Sequence, residues 1–293
     1  MGSAVAQRLK THGFPLMLWN RTRERLASYD GKSFTLATSP DEAARRAQIW
    51  ITFLADGPAT LELWSRQDGL RAALTVEESH SSEKIWMQMA TLDYSTTLRL
   101  AGEAQKLGVR FIDVPVLGST GEASKGELIL MAGGHPEDLE RIRSVTDVLG
   151  KNLIHCGSIG SGTLMKLTTN LLLAHMMVGL AEWFAVGSQM GLNPDDMFRV
   201  IRDSKLFSPM FAAKFPKLKN DDYTPSFPLK WMRKDLKNIL EVAHHFGSFL
   251  PLGSIMKTLY DAADFQGLGD DDYSAVVHLL KQLSRGTPFT FRS

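Results

Sequence analysis

The 293-residue chain has a single cysteine, Cys156, so no internal disulfide framework exists, and this usage fits a reducing cytoplasm. Neither sign of charge dominates. With 33 basic and 32 acidic residues the net charge is +1, which excludes a bulk field for nucleic acid or an anionic membrane. None of the eight histidines falls in an H-E-x-x-H or Cys/His spacing, so no metal site is indicated. A charged region followed by an apolar core and a small-residue cleavage site is missing from the N-terminus, so no signal peptide is read. Long uninterrupted apolar runs are also lacking. The most apolar stretch, Leu164 to Leu192, carries Lys166, Asn170, His175, Glu182 and Gln189, a scatter of polar groups that argues against a lipid span. It is expected to be a buried helix. Cys156 is read as a small apolar core residue, and His244-His245 as a solvated pair. No internal repeat or low-complexity tract occurs.

What is present is an ordinary globular composition, 44% hydrophobic and 22% charged, on a chain long enough for two domains. The first half alternates strand and helix. Strands are expected at 14–19, 49–54, 84–89, 109–114, 128–132 and 151–156. Helices are expected at 3–12, 23–29, 40–46, 59–64, 94–107 and 136–149. Such alternation predicts an α/β domain with a doubly wound parallel sheet and helices on both faces. After Gly160 the period is helical throughout, broken by Gly191 to Pro194, a loop from Pro209 to Pro228, Gly247 to Pro251 and Gly267 to Gly269. Asn193 before Pro194-Asp195-Asp196 is a cap, a first-turn proline and an acidic first turn. The expected division is therefore 1–160, a Rossmann-type domain, and 161–293, an all-α domain. A long helix from about Gly162 to Met190 joins the two and places Lys166 at the domain junction, where ligand sites commonly form.

Lys166 and Asn170 stand four residues apart, so an ammonium and a carboxamide share one helix face, one turn apart. Burying an ammonium unpaired is costly, so Lys166 must face a cleft or a partner. The functional reading is a proton donor beside an amide that orients it or the substrate. The plainer one is a snorkelling lysine and a capping or core asparagine. At the other end of the chain, Gly2 followed by a helix reads as the end of a glycine-rich phosphate loop. The usual strand and G-x-G that precede such a glycine are absent from the chain as given. The strand ending at Trp19 runs into Asn20-Arg21-Thr22-Arg23, with no Asp or Glu at its tip. In a dinucleotide fold this favours the 2′-phosphate of NADP over the bare hydroxyl of NAD. Leu117-Gly118-Ser119-Thr120 follows a strand and offers backbone amides and hydroxyls to an anionic group, although a glycine-rich hairpin reads the same way.

Together these segments resemble the β-hydroxyacid dehydrogenase family over essentially the whole chain. The Gly267-Leu-Gly-Asp-Asp-Asp-Tyr-Ser-Ala-Val276 stretch is most similar to the glyoxylate/succinic semialdehyde reductase branch. The resemblance implies a Rossmann-type domain, its first strand missing here, followed by an all-α substrate and dimerisation domain. It implies Lys166 as general acid/base and Asn170 as substrate ligand. Leu117, Gly118, Ser119 and Thr120 correspond to the substrate-binding segment, with leucine at 117 where the family usually has serine. Gly2, Asn20, Arg21, Thr22, Leu54, Asp56 and Thr91 match the cofactor side, and Lys234, in Phe227-Pro-Leu-x4-Lys234-Asp235, matches a lysine that contacts the cofactor. The function so implied is NADPH-dependent reduction or dehydrogenation of small aldehyde and hydroxy acids, of the glyoxylate, succinic semialdehyde and 3-hydroxyisobutyrate class. The expected partners are a small carboxylate-bearing substrate and further copies of the chain in a homodimer or homotetramer, without nucleic acid or membrane. The alternatives are a catalytically silent dinucleotide-fold scaffold or truncated inactive relative and, in the same architecture, imine reduction.

Overall fold

The computed structural model describes residues 1–29, 34–74 and 84–283. The chain divides into two units, Met1–Lys166 and Leu167–Ser293, a boundary that falls inside one helix. The strands are β1 (Met17–Leu18), β2 (Thr35–Leu36), β3 (Ile49–Thr52), β4 (Ile85–Gln88), β5 (Arg110–Asp113), β6 (Val116–Leu117), β7 (Leu128–Gly133) and β8 (Gly150–Gly157). Before and between them run the helices α1 (Gly2–Thr11), α2 (Pro40–Arg46), α3 (Gly57–Ser65), α4 (Tyr94–Lys106), α5 (Thr120–Lys125), α6 (Pro136–Arg141) and α7 (Arg143–Leu149). The second unit is built from α8 (Ser161–Gln189), whose first turns belong to the first unit, with α9 (Pro194–Arg202), α10 (Pro209–Asn220), α11 (Leu229–His245), α12 (Pro251–Phe265) and α13 (Val276–Leu283).

In the first unit β3, β4 and β5 pair in parallel, and side-chain alternation sends their residues to two cores. Ile85, Met87 and Ile112 point toward α1, α5, α6 and α7. Trp50, Trp86 and Phe111 point toward α2, α3 and α4. Trp86 stacks on Trp64 at 5.2 Å and meets Phe111 edge-on at 5.2 Å. Each buried indole finds an acceptor, Trp64 at Glu103 and Trp86 at Thr52, so these large rings bury without an orphaned N–H. Buried Lys84 donates to the carbonyls of Ala44, Arg45 and Ala47, serving as the C-terminal cap of α2.

Several elements differ from expectation. The sheet is mixed, because β7 runs antiparallel to β5 and β6. Only residues 118–127 separate β6 from β7, too few for a crossover that restores the parallel direction. The stretch 136–149 is two helices, α6 and α7, separated at Ile142. Residues 23–26 form a single 3-10 turn rather than a helix to Tyr29, since only Leu26 is buried and a short helix without a packed face is marginal. The expected loop after Pro209 contains α10, capped by Ser208 and started by Pro209. Burial of Phe215 and Leu218 outweighs the interior Pro216. Cys156 lies half-buried on β8, outside the core. The apolar α8 is long enough to cross a membrane by length and composition, but it buries one side, including Leu167, Ala174, Met177, Ala181 and Phe184, while Leu172 and Val186 are exposed.

The helical unit closes around that buried side of α8, with Met232 and Leu236 of α11, Tyr260 of α12 and Val277 of α13. Asn193 caps α9 through the N–H groups of Asp195 and Asp196. His244 and His245 end α11 and are exposed.

Candidate active site

In the first unit β1 pairs with β2 and stands apart from the sheet that begins at β3. A cavity of about 350 Å³ is lined by Met17 of β1 and the following Trp19, and by Ile49, Trp50, Ile51 and Thr52 of β3. The β1–β2 pair and the sheet that begins at β3 are thus separate. Asn20, Arg21 and Thr22 line this cavity, joined by Arg25 and Arg66, whereas Arg23 is not among the lining residues. Asn20 Oδ1 accepts from Thr22 N–H at 2.9 Å, which shapes the turn after β1. Arg66 lies 5.4 Å over the Trp19 ring and is held by Asp68, while Arg21 pairs with the exposed Glu62 at 3.8 Å. Arg25 and Arg66 were not expected. They are separated by about forty residues, and only the fold brings them to one rim.

Leu54 also lines the cavity. Asp56 spends its carboxylate as the N-cap of α3, accepting from Ala59 N–H at 2.9 Å. Thr91 follows β4 beside buried Ala90. Gly2 opens α1 against Phe53, and α1 has no side-chain cap, so its N-terminal end is a backbone-donor surface.

The end of β5 organises the start of α8. Asp113 is fully buried and accepts from Gly160 N–H (2.7 Å), Thr163 N–H (2.7 Å) and the Thr163 hydroxyl (2.9 Å). Burial pushes this carboxyl up, and the three donors offset only part of that rise. Gly162 is required by proximity. A Cβ there would stand 2.4 Å from the carbonyl oxygen of Met131. Leu117 ends β6, and Gly118 follows at φ +134, where a side chain would be strained. Ser119 is the N-cap of α5 in a capping box with Glu122, and Thr120 is the first helical residue. The Ser119 hydroxyl expected for substrate is therefore already engaged by Glu122.

Lys166 and Asn170 fall one turn apart on α8 and both are buried, at 9% and 2% exposure. Asn170 Nδ2 donates to Asp235 Oδ2 at 2.6 Å. A carboxylate only accepts, so the pairing fixes which way the amide faces. Asn170 Oδ1 is buried and has no hydrogen-bond partner among the described residues. Lys234, on the same turn of α11, reaches 3.2 Å from Asp235 Oδ1, pairing by charge rather than by a hydrogen bond. Asp235 is the residue that sequence reasoning passed over, although it stood next to Lys234. No cluster of His, Cys, Asp or Glu suited to a metal occurs among the described residues.

Comparison with known proteins identifies the family. Residues 1–157 match the family described as the NAD binding domain of 6-phosphogluconate dehydrogenase, and residues 160–280 that of the NAD-binding of NADP-dependent 3-hydroxyisobutyrate dehydrogenase. The chain is 30% identical over 281 residues to glyoxylate/succinic semialdehyde reductase 1 of Arabidopsis thaliana, covering 96% of this chain and 95% of that one. It is 27% identical to mitochondrial 3-hydroxyisobutyrate dehydrogenase of Mus musculus, over 96% of this chain and 84% of that one. Its fold is similar to a Mycobacterium tuberculosis 3-hydroxyisobutyrate dehydrogenase solved with L-serine, with a TM-score of 0.84, 25% identity and 96% coverage of both chains. A Rossmann-type unit, a helical unit, a buried Lys166–Asn170 turn on α8, and these relatives lead to one assignment: the chain belongs to the β-hydroxyacid dehydrogenase family, NAD(P)-dependent oxidoreductases acting on hydroxyl groups.

Proposed function

We propose that this chain is an NADPH-dependent reductase of small aldehyde acids, of the glyoxylate and succinic semialdehyde class, with oxidation of 3-hydroxyisobutyrate-type hydroxy acids as the reverse direction. The observation that carries the reading is the Lys166–Asn170 turn, with the Asn170 amide held by Asp235 so that its carbonyl oxygen stays unspent. The residues fit a phosphorylated dinucleotide. Asn20, Arg21, Thr22, Arg25 and Arg66 line one cavity, the sequence at the tip of β1 carries no Asp or Glu, and the carboxylate of Glu62 on the same cavity is paired with Arg21. Gly2 and the uncapped end of α1 would face the pyrophosphate, Leu54, Asp56 and Thr91 the nicotinamide side, and Lys234 would contact the cofactor. When bound, the nicotinamide supplies the hydride that reduces the substrate carbonyl carbon.

Lys166 Nζ then gives its proton to the carbonyl oxygen as negative charge develops there, and in the reverse direction takes it from the hydroxyl. Asn170 Oδ1, an acceptor, suits a hydroxyl or the Lys166 ammonium. Leu117, Gly118, Ser119 and Thr120 would take the substrate carboxylate through backbone N–H groups, since Leu117 has no hydroxyl and that of Ser119 is engaged. Exposed Phe246, Phe249, Leu252 and Ile255 on the helical unit support association of copies as a homodimer or homotetramer, and the single cysteine supports a cytoplasmic setting.

The test is a titration with NADPH and with NADH, followed by tryptophan quenching, because Trp19 borders the cavity. Saturable binding with NADPH tighter by about tenfold or more is expected. Equal affinity, or a preference for NADH, would overturn the NADPH assignment. Turnover with glyoxylate, succinic semialdehyde and 3-hydroxyisobutyrate then sorts the substrates.

A further inference from the structure

The helical unit keeps a charge pair out of water that the proposed chemistry does not use. The side chains of Lys214, on α10, and Asp272 are 7% and 0% exposed, with Lys214 Nζ 2.6 Å from Oδ1 and 2.9 Å from Oδ2. Asp272 belongs to the Gly267 to Val276 stretch, which the proposed chemistry leaves unused. Its carboxylate also accepts from Ser226 N–H (3.0 Å) and hydroxyl (2.8 Å), and from Ser274 N–H (3.2 Å) and hydroxyl (2.7 Å). Lys214 Nζ donates to the Ser226 hydroxyl at 3.0 Å and lies 4.4 Å from the Tyr273 ring centre.

A buried ion pair is by itself weak evidence for stability, since apolar residues of similar volume often serve as well. The geometry says more. Ser226 and Phe227 lead directly into α11, whose N-cap is Pro228, a residue with no side-chain acceptor for the first-turn N–H groups. Leu229 N–H donates instead to the carbonyl of Asp271 (2.8 Å), and Tyr273 N–H donates to that of Phe227 (2.9 Å). Pro228 and Asp272 form the antiparallel bridge between these two backbones. The first turn of α11 is therefore held by segment 271–273, and Asp272 ties that segment to Ser226. Lys234 and Asp235 stand on the second turn of the same helix.

We infer that Lys214 and Asp272 are a positioning pair for α11, setting the place of Lys234 and of Asp235, and through Asp235 the direction of the Asn170 amide. The functional part of this inference rests on the proposed roles of Lys234 and Asn170, and the structural part does not. The experiment compares Asp272→Asn, Lys214→Met, Lys214→Arg and the milder Ser274→Ala with the unaltered protein, at a temperature where circular dichroism shows each folded. Amide hydrogen exchange is read over residues 229–236 and over α12, and KM for NADPH is measured beside kcat. Asp272→Asn should speed exchange over 229–236 by roughly tenfold or more relative to α12. It should also raise KM for NADPH by about fivefold or more. Ser274→Ala should give a smaller change of the same pattern, and it decides the matter if Asp272→Asn does not fold. Lys214→Arg, which keeps the charge, should stay nearer to the unaltered protein than Lys214→Met. Faster exchange confined to 271–275, or spread evenly over the unit with KM unchanged, would overturn the inference. If the unaltered protein does not use NADPH, the proposed function fails while the exchange pattern still decides whether the pair positions α11.

Discussion

A lysine and an asparagine one turn apart are common on helices, and Lys166 and Asn170 are distinguished by what holds the asparagine. The Asp235 carboxylate accepts from the amide nitrogen and so leaves the amide oxygen for another donor. Lys166→Ala should reduce turnover by about 10²–10⁴-fold, the usual contribution of a general acid/base, while the Kd for NADPH changes little. Parallel kinetics and binding titrations check this, and retained turnover would remove Lys166 from the chemistry. Asp235→Ala should lower kcat/KM by about 10–100-fold, because a charge-assisted hydrogen bond is lost and the amide can turn over. Asp235→Asn, which keeps an acceptor, should retain more activity. Equal rates in the two variants would show that Asp235 does not orient Asn170. The spacing of Lys166 and Asn170 was legible in the sequence because one turn of helix determines it. The role of Asp235 was not, because its partner is 65 residues away.

Strand ends and helix starts carry the next level of the argument. Asp113 at the end of β5 gathers Gly160 and Thr163 at the start of α8, and Gly162 lets the backbone approach that of Met131. Removing the carboxylate in Asp113→Ala leaves two N–H groups and a hydroxyl buried without their acceptor. This should cost about 3 kcal/mol of stability, read as a lower urea midpoint at an unchanged slope. A midpoint within error of the unaltered protein would show that α8 starts without this anchor. Most helices were readable from capping and period. Pro40 to Arg46 was expected with the boundaries it has, and in the structure Ser39 caps it with Pro40 in its first turn. The α10 helix was missed because Pro216 reads as a breaker, and only burial of Phe215 and Leu218 outweighs it.

For the molecule as a whole, pH reaches stability through carboxyls with opposite shifts. Burial pushes Asp272 up, but Lys214, Ser274 and Ser226 outweigh it and hold the carboxyl at about 2. Burial pushes its partner Lys214 down, with Asp272 opposing. A carboxyl lowered from 3.8 to about 2 stabilises the fold above pH 3.8, and that stability is lost as pH falls through 2. Asp113 is raised, so its contribution is greatest below the unfolded value and fades as pH rises through the folded one. The stability gap between the unaltered protein and Asp272→Asn should therefore narrow by about 2 kcal/mol between pH 5 and pH 2. Urea titrations at the two pH values measure it, and a constant gap would show that Asp272 does not titrate in this range.

The sequence by itself determined the alternation of strand and helix up to residue 160, the helical period beyond it, the basic turn after β1 and the Lys166–Asn170 pair. Each of these is set within one strand or one or two turns, where side-chain period and capping act directly. Tertiary structure alone decided the antiparallel turn of β7, the gathering of Arg21, Arg25 and Arg66 on one cavity, the hold of Asp235 on Asn170, and the Lys214–Asp272 pair. These join groups that are mostly tens of residues apart. Their partners are chosen by packing and by the cost of burying an unpaired polar group, neither of which a local pattern records.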